Sequence, residues 1–188
     1  MILTIVPGID GSDADHWQTA WQAATGAVRI RPASWDQPDL EDWVAAIDVT
    51  VRQAGDTILV AHSLGCLAAS VWLSRNPGLV RGALLVAPPD RFAGTFPAAA
   101  PSFRSLDPVP LGSPALLVAS DDDPYCDPAA ARALADAWGA DLVSVGNLGH
   151  INNRSNIGGW PQGRALLADF QTTLTDRPAV PTLNEATR

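Results

Sequence analysis

The sequence contains no lysine, so all 12 of its cationic side chains are arginine. Aspartate and glutamate together number 20, which gives a formal net charge of −8. Proteins that bind a nucleic-acid backbone need clustered cations to neutralise phosphates. The acidic composition therefore argues against a nucleic-acid partner, and we assign no function to the lack of lysine itself.

Cysteine is scarce, and long apolar runs are missing. The two cysteines, Cys66 and Cys126, form neither a C-x-x-C pair nor a metal-binding spacing. No disulfide framework is indicated, which is typical of a reducing compartment. No apolar run reaches the length of a membrane span, and the first residues lack the basic region of a signal peptide. We therefore expect a cytoplasmic protein with no membrane partner, no bound metal and no cofactor.

The residues that are present predict one α/β domain. Hydrophobic residues make up 47% and charged residues 17% of the 188 positions, a balance typical of a globular protein. Strand-like and helix-like segments alternate about six times, which predicts a mainly parallel sheet of about six strands with helices on both faces. The first helix is expected to begin at a Ser12 or Asp13 cap. We expect the domain to span residues 1–174 and residues 175–188 to form a flexible tail.

The segment from Thr57 to Gly65 carries the strongest local signal. Residues 57–60 are β-branched or apolar, as expected for a strand covered on both faces. Ala61-His62-Ser63-Leu64-Gly65 follows and nearly matches the G-x-S-x-G nucleophile elbow, with alanine in place of the first glycine. Such a turn between strand and helix presents its serine hydroxyl at the carboxyl end of the sheet. Ser63 is therefore a candidate nucleophile, although a serine capping a buried helix would give the same pentapeptide.

Two later strand ends carry the partners that a serine nucleophile needs. Asp121-Asp122-Asp123-Pro124 follows the fifth predicted strand, and Gly149-His150 follows the sixth. Their order along the chain, serine, then acid, then histidine, is that of α/β-hydrolases. His150 would act as the general base, and one aspartate would orient its imidazole. Asp123 is our choice for that acid, with Asp122 second.

Backbone N–H groups beside the nucleophile would stabilise an oxyanion. The N–H of Leu64 heads the helix after the elbow, where a developing negative charge is favoured. The N–H of Ile9, in the turn after the first strand, is the expected second donor, with that of Asp10 as the alternative.

Residues beside these turns are candidates for a substrate pocket, namely His16, Trp17, Tyr125 and Asn152. Core packing would explain Trp17 and Tyr125 equally well, and His16 could instead lie on a helix surface. His62, next to the nucleophile, is expected to be structural, because adjacent residues at a strand end point apart.

Several motifs together resemble one family. They are Val6-Pro7-Gly8, Asp15-His16-Trp17, Val60 to Gly65, Ala119 to Pro124 and Gly149-His150-Ile151-Asn152. They are similar to the small serine hydrolases of the retinoblastoma-binding-protein type, including bacterial YdeN-like proteins. The resemblance covers about residues 2–174 and implies an α/β-hydrolase fold without a cap domain. It also implies the triad Ser63, Asp123 and His150, and a carboxylesterase acting on small acyl esters.

The resemblance does not extend to the partner after which the animal relatives are named. They bind it through an L-x-C-x-E motif, whereas Cys126 here lies in Pro124-Tyr125-Cys126-Asp127. A small acyl compound is the expected partner, and the oligomeric state is not predicted.

Other functions fit parts of the sequence. The same triad could serve an amidase or a peptidase, and the fold could persist in a catalytically silent binding protein. The three aspartates could ligate a divalent cation, but no second carboxylate cluster lies at another strand end. A nucleotide-binding domain is excluded, because Pro7-Gly8-Ile9-Asp10-Gly11 lacks both G-x-G-x-x-G and the P-loop lysine.

Overall fold

The structure, a computed structural model, describes residues 1–175. Residues 176–188, which make up nearly all of the predicted tail, lie outside the described residues. The described chain forms six strands, which we number β1 to β6: Ile2–Val6, Val28–Arg29, Thr57–His62, Gly82–Val86, Ala115–Ala119 and Asp141–Ser144. It also forms five α-helices, α1 to α5: Trp17–Thr25, Leu40–Ala54, Leu64–Arg75, Pro128–Trp138 and Pro161–Leu174.

The strands form one sheet in the order β2-β1-β3-β4-β5-β6, and each neighbouring pair is parallel. This confirms the predicted parallel α/β sheet. The strand order reverses beside β1 and β3, and ligands of such sheets bind outside the carboxyl ends of the strands near a reversal of this kind. Ser63 directly follows β3 and therefore lies in the expected region.

Helices cover both faces of the sheet, as predicted. One core cluster joins α2, α3 and α4 to one face, and the other joins α1 and α5 to the opposite face. Helix α3 packs close to the sheet, and nine of its 12 residues are buried, as expected for a helix that is apolar all round. The connection between β4 and β5 contains a 3₁₀ turn at Pro101–Phe103 and no α-helix, so no cap domain is inserted there.

Helix α1 begins later than its sequence predicts. Its N-cap is His16, whose Nδ1 accepts the N–H of Gln18 at 3.2 Å; the expectation of a Ser12 or Asp13 cap is therefore wrong. Both earlier residues have other partners: Ser12 donates its hydroxyl to Gln18 Oε1 at 2.7 Å, and Asp13 accepts from the N–H of Asp15 at 3.0 Å.

The α-helices of the described residues can be compared with the length and hydropathy of a membrane span. None of the helices within residues 1–175 is long and apolar enough to span a bilayer.

Candidate active site

Ser63 lies on a sharp turn between β3 and α3. Its backbone adopts φ 53° and ψ −129°, a conformation that costs a non-glycine residue on the order of 1–3 kcal/mol. A side chain at Gly65 would collide with the carbonyl oxygens of Val6 and Pro7, and a Cβ at Gly8 would lie 2.8 Å from the Cβ of Ser63. The glycines therefore let neighbouring backbone approach the turn, as the elbow motif requires.

Three side chains from different strand ends form one hydrogen-bonded chain. Ser63 Oγ lies 2.7 Å from His150 Nε2, and His150 Nδ1 lies 2.9 Å and 3.0 Å from the two carboxylate oxygens of Asp123. The side chain of Asp123 is 2% exposed and that of His150 is 10% exposed. When Nδ1 donates its proton to Asp123, the lone pair of Nε2 faces the serine hydroxyl. This arrangement can accept the proton of Ser63 as its oxygen attacks an electrophile.

The other two aspartates of the cluster have different contacts. Asp122 accepts hydrogen bonds from the Ser120 hydroxyl at 2.8 Å and from the N–H of Gly149 at 2.7 Å. The bond from Gly149 lowers the pKa of the Asp122 carboxyl. Asp121 accepts from the Ser144 hydroxyl at 2.6 Å. Of the three carboxylates, the structure places that of Asp123 against His150.

Two backbone N–H groups near Ser63 are available to a ligand. Within residues 1–175, the N–H groups of Leu64 and Ile9 donate to no protein acceptor. The N–H of Asp10, the alternative that the sequence left open, donates to the carbonyl of Trp35 at 3.0 Å. Leu64 is also the first residue of α3, where the helix dipole favours a negative charge.

A cavity of about 370 Å³ opens above these groups. Tyr125 and Asn152 line it, and the Tyr125 ring lies 4.6 Å from that of His150, centroid to centroid. Pro89 and Pro97, from the connection between β4 and β5, contribute to its wall. The complete lining is Gly8, Ile9, Asp10, Ser12, Asp13, His62, Ser63, Pro89, Pro97, Tyr125, His150, Asn152, Asn153 and Arg154.

His16 and Trp17, which the sequence offered as pocket residues, lie outside the lining of the cavity at Ser63; Trp17 contributes instead to a neighbouring cavity of about 310 Å³ beside Asn152 and Asn153. Both are buried, with 5% and 1% of their surface exposed. His16 caps α1, and Trp17 donates its indole N–H to the carbonyl of Ile151 at 2.8 Å. Both side chains are therefore packed in the interior of the protein.

The sequence and this geometry agree with a comparison against known families. A model described as "Serine hydrolase" matches residues 3–169. The chain belongs to this serine hydrolase family. The match covers most of the chain, including all three side chains of the hydrogen-bonded site.

Solved structures resemble this serine hydrolase over nearly its whole length. A putative YdeN-like hydrolase from Pectobacterium atrosepticum is 34% identical, with a TM-score of 0.81, over 92% of this chain and 91% of that one. The YdeN gene product of B. subtilis is 23% identical, with a TM-score of 0.74, over 90% and 98% of the two chains. Est1E from Butyrivibrio proteoclasticus, solved with ferulic acid, is 14% identical, with a TM-score of 0.68 over 92% and 88%, and shares the fold. No curated protein matches the sequence.

The three histidines of this serine hydrolase form a row that the sequence did not predict. The ring of His62 lies 5.0 Å from that of His150 and 4.8 Å from that of His16, centroid to centroid. His62 also contacts the carbonyl of His150 through Nε2 at 3.0 Å. Burial lowers the pKa of His16 to about 4. Burial, followed by the nearby His150, lowers the pKa of His62 well below its ordinary value.

The buried histidines make folding stability depend on pH. An unfolded histidine titrates near pH 6.5, whereas folded His16 titrates at about 4. The unfolded state therefore binds more protons as the pH falls through this window, and the free energy of unfolding falls with it. We expect His16 alone to account for a loss of about 2 kcal/mol between pH 7 and pH 5, measured by urea denaturation.

A His16→Asn variant is the matched control, because asparagine keeps an N-cap acceptor but does not titrate. The free energy of unfolding of this variant should fall less than that of the wild type between pH 7 and pH 5. The fall that remains includes the contribution of His62. Equal pH dependence in the two proteins would contradict the assignment.

Proposed function

We propose that this serine hydrolase is a carboxylesterase that cleaves small acyl esters through an acyl-enzyme. The observation that carries the proposal is the hydrogen-bonded chain from Ser63 Oγ through His150 to Asp123, at the floor of an open cavity. A serine hydroxyl is too weakly acidic to react unaided at neutral pH. An adjacent imidazole that is oriented by a carboxylate activates it by accepting its proton.

The first half-reaction acylates the enzyme. Ser63 Oγ attacks the ester carbonyl carbon while His150 Nε2 takes the hydroxyl proton. The carbonyl oxygen becomes an oxyanion, which accepts hydrogen bonds from the N–H groups of Leu64 and Ile9. The C–O bond to the alcohol then breaks, the departing oxygen receives the proton from His150, and the acyl group stays on Ser63.

The second half-reaction releases the acid. Water enters in place of the alcohol and gives a proton to His150 as its oxygen attacks the acyl carbon. Collapse of the second oxyanion breaks the bond to Ser63 Oγ, which takes back the proton. Asp123 stays ionised throughout and stabilises the imidazolium in both halves.

The size of the cavity supports a small substrate. Its volume of about 370 Å³ is at the lower end of the range for ligand pockets. Its lining includes the apolar Ile9, Pro89 and Pro97, against which a short acyl chain can pack. Hydrolysis of p-nitrophenyl esters of increasing chain length should therefore be fastest for short acyl groups.

Partitioning between water and methanol tests the acyl-enzyme directly. The enzyme would act in dilute methanol on three esters of one short acid, namely the phenyl, p-nitrophenyl and ethyl esters. The ratio of methyl ester to free acid would be measured for each. One common acyl-enzyme predicts the same ratio for all three leaving groups. A ratio that changes with the leaving group would overturn the mechanism, and faster cleavage of the matched anilide than of the esters would make the protein an amidase.

A further inference from the structure

The turn that carries His150 has an unfavourable backbone conformation. Gly149 and Ile151, on either side of His150, have φ angles of +53° and +48°. Positive φ is uncommon for any residue with a side chain and a genuine outlier for a β-branched one such as isoleucine. Conformations of this kind persist only where surrounding contacts over-determine them.

Hydrogen bonds from neighbouring strand ends hold the N–H groups of this turn. The N–H of Leu148 donates to Ser120 Oγ at 2.9 Å, and that of Gly149 donates to Asp122 Oδ1 at 2.7 Å. Both acceptors lie in the segment that follows β5 and leads to Asp123. These two bonds therefore fix the turn relative to the acid of the proposed triad.

Two buried side chains form hydrogen bonds to carbonyl groups of the same turn. His62 Nε2 lies 3.0 Å from the carbonyl oxygen of His150, and Trp17 Nε1 donates to the carbonyl oxygen of Ile151 at 2.8 Å. A carbonyl oxygen only accepts, so Nε2 of His62 carries the proton. His62 and Trp17 are 4% and 1% exposed, and Ile151 is fully buried. Loss of the Trp17 bond would therefore leave a buried carbonyl unpaired.

We propose that His62 and Trp17 are positioning residues, which hold the His150 imidazole at the distance from Ser63 Oγ that proton transfer requires. The inference rests on the proposed function, because it assigns these two side chains a task in the same reaction. Neither side chain touches Ser63 Oγ, Asp123 or the His150 ring nitrogens through a hydrogen bond. Trp17 therefore acts through the backbone of the turn. His62 acts through the same backbone and also through its ring, which lies 5.0 Å from that of His150, centroid to centroid, and lines the cavity.

The position of His62 in the chain explains why its bond is effective. His62 is the last residue of β3 and directly precedes Ser63. A hydrogen bond from its ring to the backbone of His150 therefore joins the nucleophile's strand to the base in one short link. Trp17 makes the second link from α1, on the face of the sheet where Ile151 is buried. Displacement of a reacting group by about 1 Å can lower the rate by about 10²-fold.

The test of His62 compares two replacements. His62→Phe keeps a planar ring of similar size but removes the donor, whereas His62→Gln keeps an N–H donor at a similar reach. We expect His62→Phe to lower kcat for a short p-nitrophenyl ester by roughly 10–100-fold with little change in KM. We expect His62→Gln to recover most of that loss.

The test of Trp17 uses a matched tryptophan elsewhere in the core. Trp17→Phe removes the indole N–H that binds the turn and keeps an aromatic ring. Trp43→Phe is the control, because Trp43 is fully buried and donates its indole N–H to the carbonyl of Ser34 at 3.0 Å, away from the cavity. We expect Trp17→Phe to lower kcat about 10-fold, and Trp43→Phe to change unfolding by urea without changing kcat.

A proton NMR signal separates positioning from general stability. The His150 Nδ1–H bonded to Asp123 should give a low-field resonance, which can be assigned because the chain has three histidines. This resonance should shift or broaden in His62→Phe and Trp17→Phe and stay unchanged in Trp43→Phe. Wild-type kcat and an unshifted resonance in folded His62→Phe and Trp17→Phe would overturn the inference. Wild-type activity in Ser63→Ala would instead overturn the proposed function.

Discussion

Replacement of Ser63 by alanine is expected to lower kcat for a short ester by roughly 10⁴–10⁶-fold. The methyl group cannot form an acyl-enzyme, so the reaction must proceed by direct attack of water. The N–H groups of Leu64 and Ile9 remain in this variant and preserve part of the stabilisation of the oxyanion. KM should change little, because the hydroxyl contributes little to the cavity wall. Steady-state hydrolysis of p-nitrophenyl acetate by purified protein measures both constants.

The structure gives reason to expect that Ser63→Ala folds normally. The positive φ angle at Ser63 strains any residue with a Cβ, so alanine meets the same cost as serine. The Ser63 side chain accepts no capping bond from the N–H groups of α3, and its hydroxyl partner is His150. Unfolding by urea should therefore differ little from the wild type. A folded Ser63→Ala protein with wild-type kcat would show that a different group carries the reaction.

Replacement of Asp123 by asparagine is expected to lower kcat by on the order of 10⁴-fold. The carboxylate accepts the Nδ1–H of His150 at 2.9–3.0 Å and leaves Nε2 unprotonated towards Ser63. An amide at this position can donate to Nδ1, which would favour the tautomer with its proton on Nε2. That tautomer cannot accept the serine proton, and no negative charge would remain to stabilise the imidazolium.

The same substitution at Asp121 is the control. Asp121 lies two residues earlier and accepts from the Ser144 hydroxyl at 2.6 Å, with no contact to His150. An asparagine at position 121 can still accept that bond through its side-chain oxygen. Exposed substitutions of this kind usually have small energetic effects, so kcat should stay within about threefold of the wild-type value. Equal losses in the two variants would contradict the role of Asp123 and point to a general effect of charge on this edge of the sheet.

The sequence predicted the elements whose signals are local. β3 and α3 follow from a continuous apolar run, the elbow motif from Ala61 to Gly65 and the largely apolar helix after it. Helices α2 and α4 begin after Asp39 and Asp127, whose side chains accept the N–H groups of Asp42 and Ala130, and aspartate is among the preferred capping residues. The strand predicted over residues 57–60 continues to His62 in the structure, because His62 still pairs with Val86 of β4.

The cap of α1 could not be chosen from the sequence. Ser12 and Asp13 are better capping residues than His16 by type. In the folded chain, however, Ser12 turns towards Gln18, and Asp13 also bonds to Asn153, which lies 140 residues away along the chain. A contact at that separation overrides the local preference.

The same distinction between local and long-range contacts separates the site residues that the sequence predicted from those that it did not. Ser63, Asp123 and His150 were found because each follows a recognisable strand in a characteristic order. The contact between His62 and His150, 88 residues apart, has no sequence signature. Trp17 was expected in a pocket wall because it is near an active turn, but its N–H reaches the carbonyl of Ile151 and draws the ring into the core. Proximity in sequence does not determine the direction in which a side chain points.

Labelling with a fluorophosphonate probe tests the central claim, an activated serine at position 63, most directly. The probe phosphonylates a nucleophilic serine and displaces fluoride, and intact-mass and peptide spectra count and locate the adduct. We expect one adduct per chain on Ser63 in the wild type and none in Ser63→Ala or His150→Ala under the same conditions. A folded wild type that is not labelled, or that is labelled at another residue, would contradict the account.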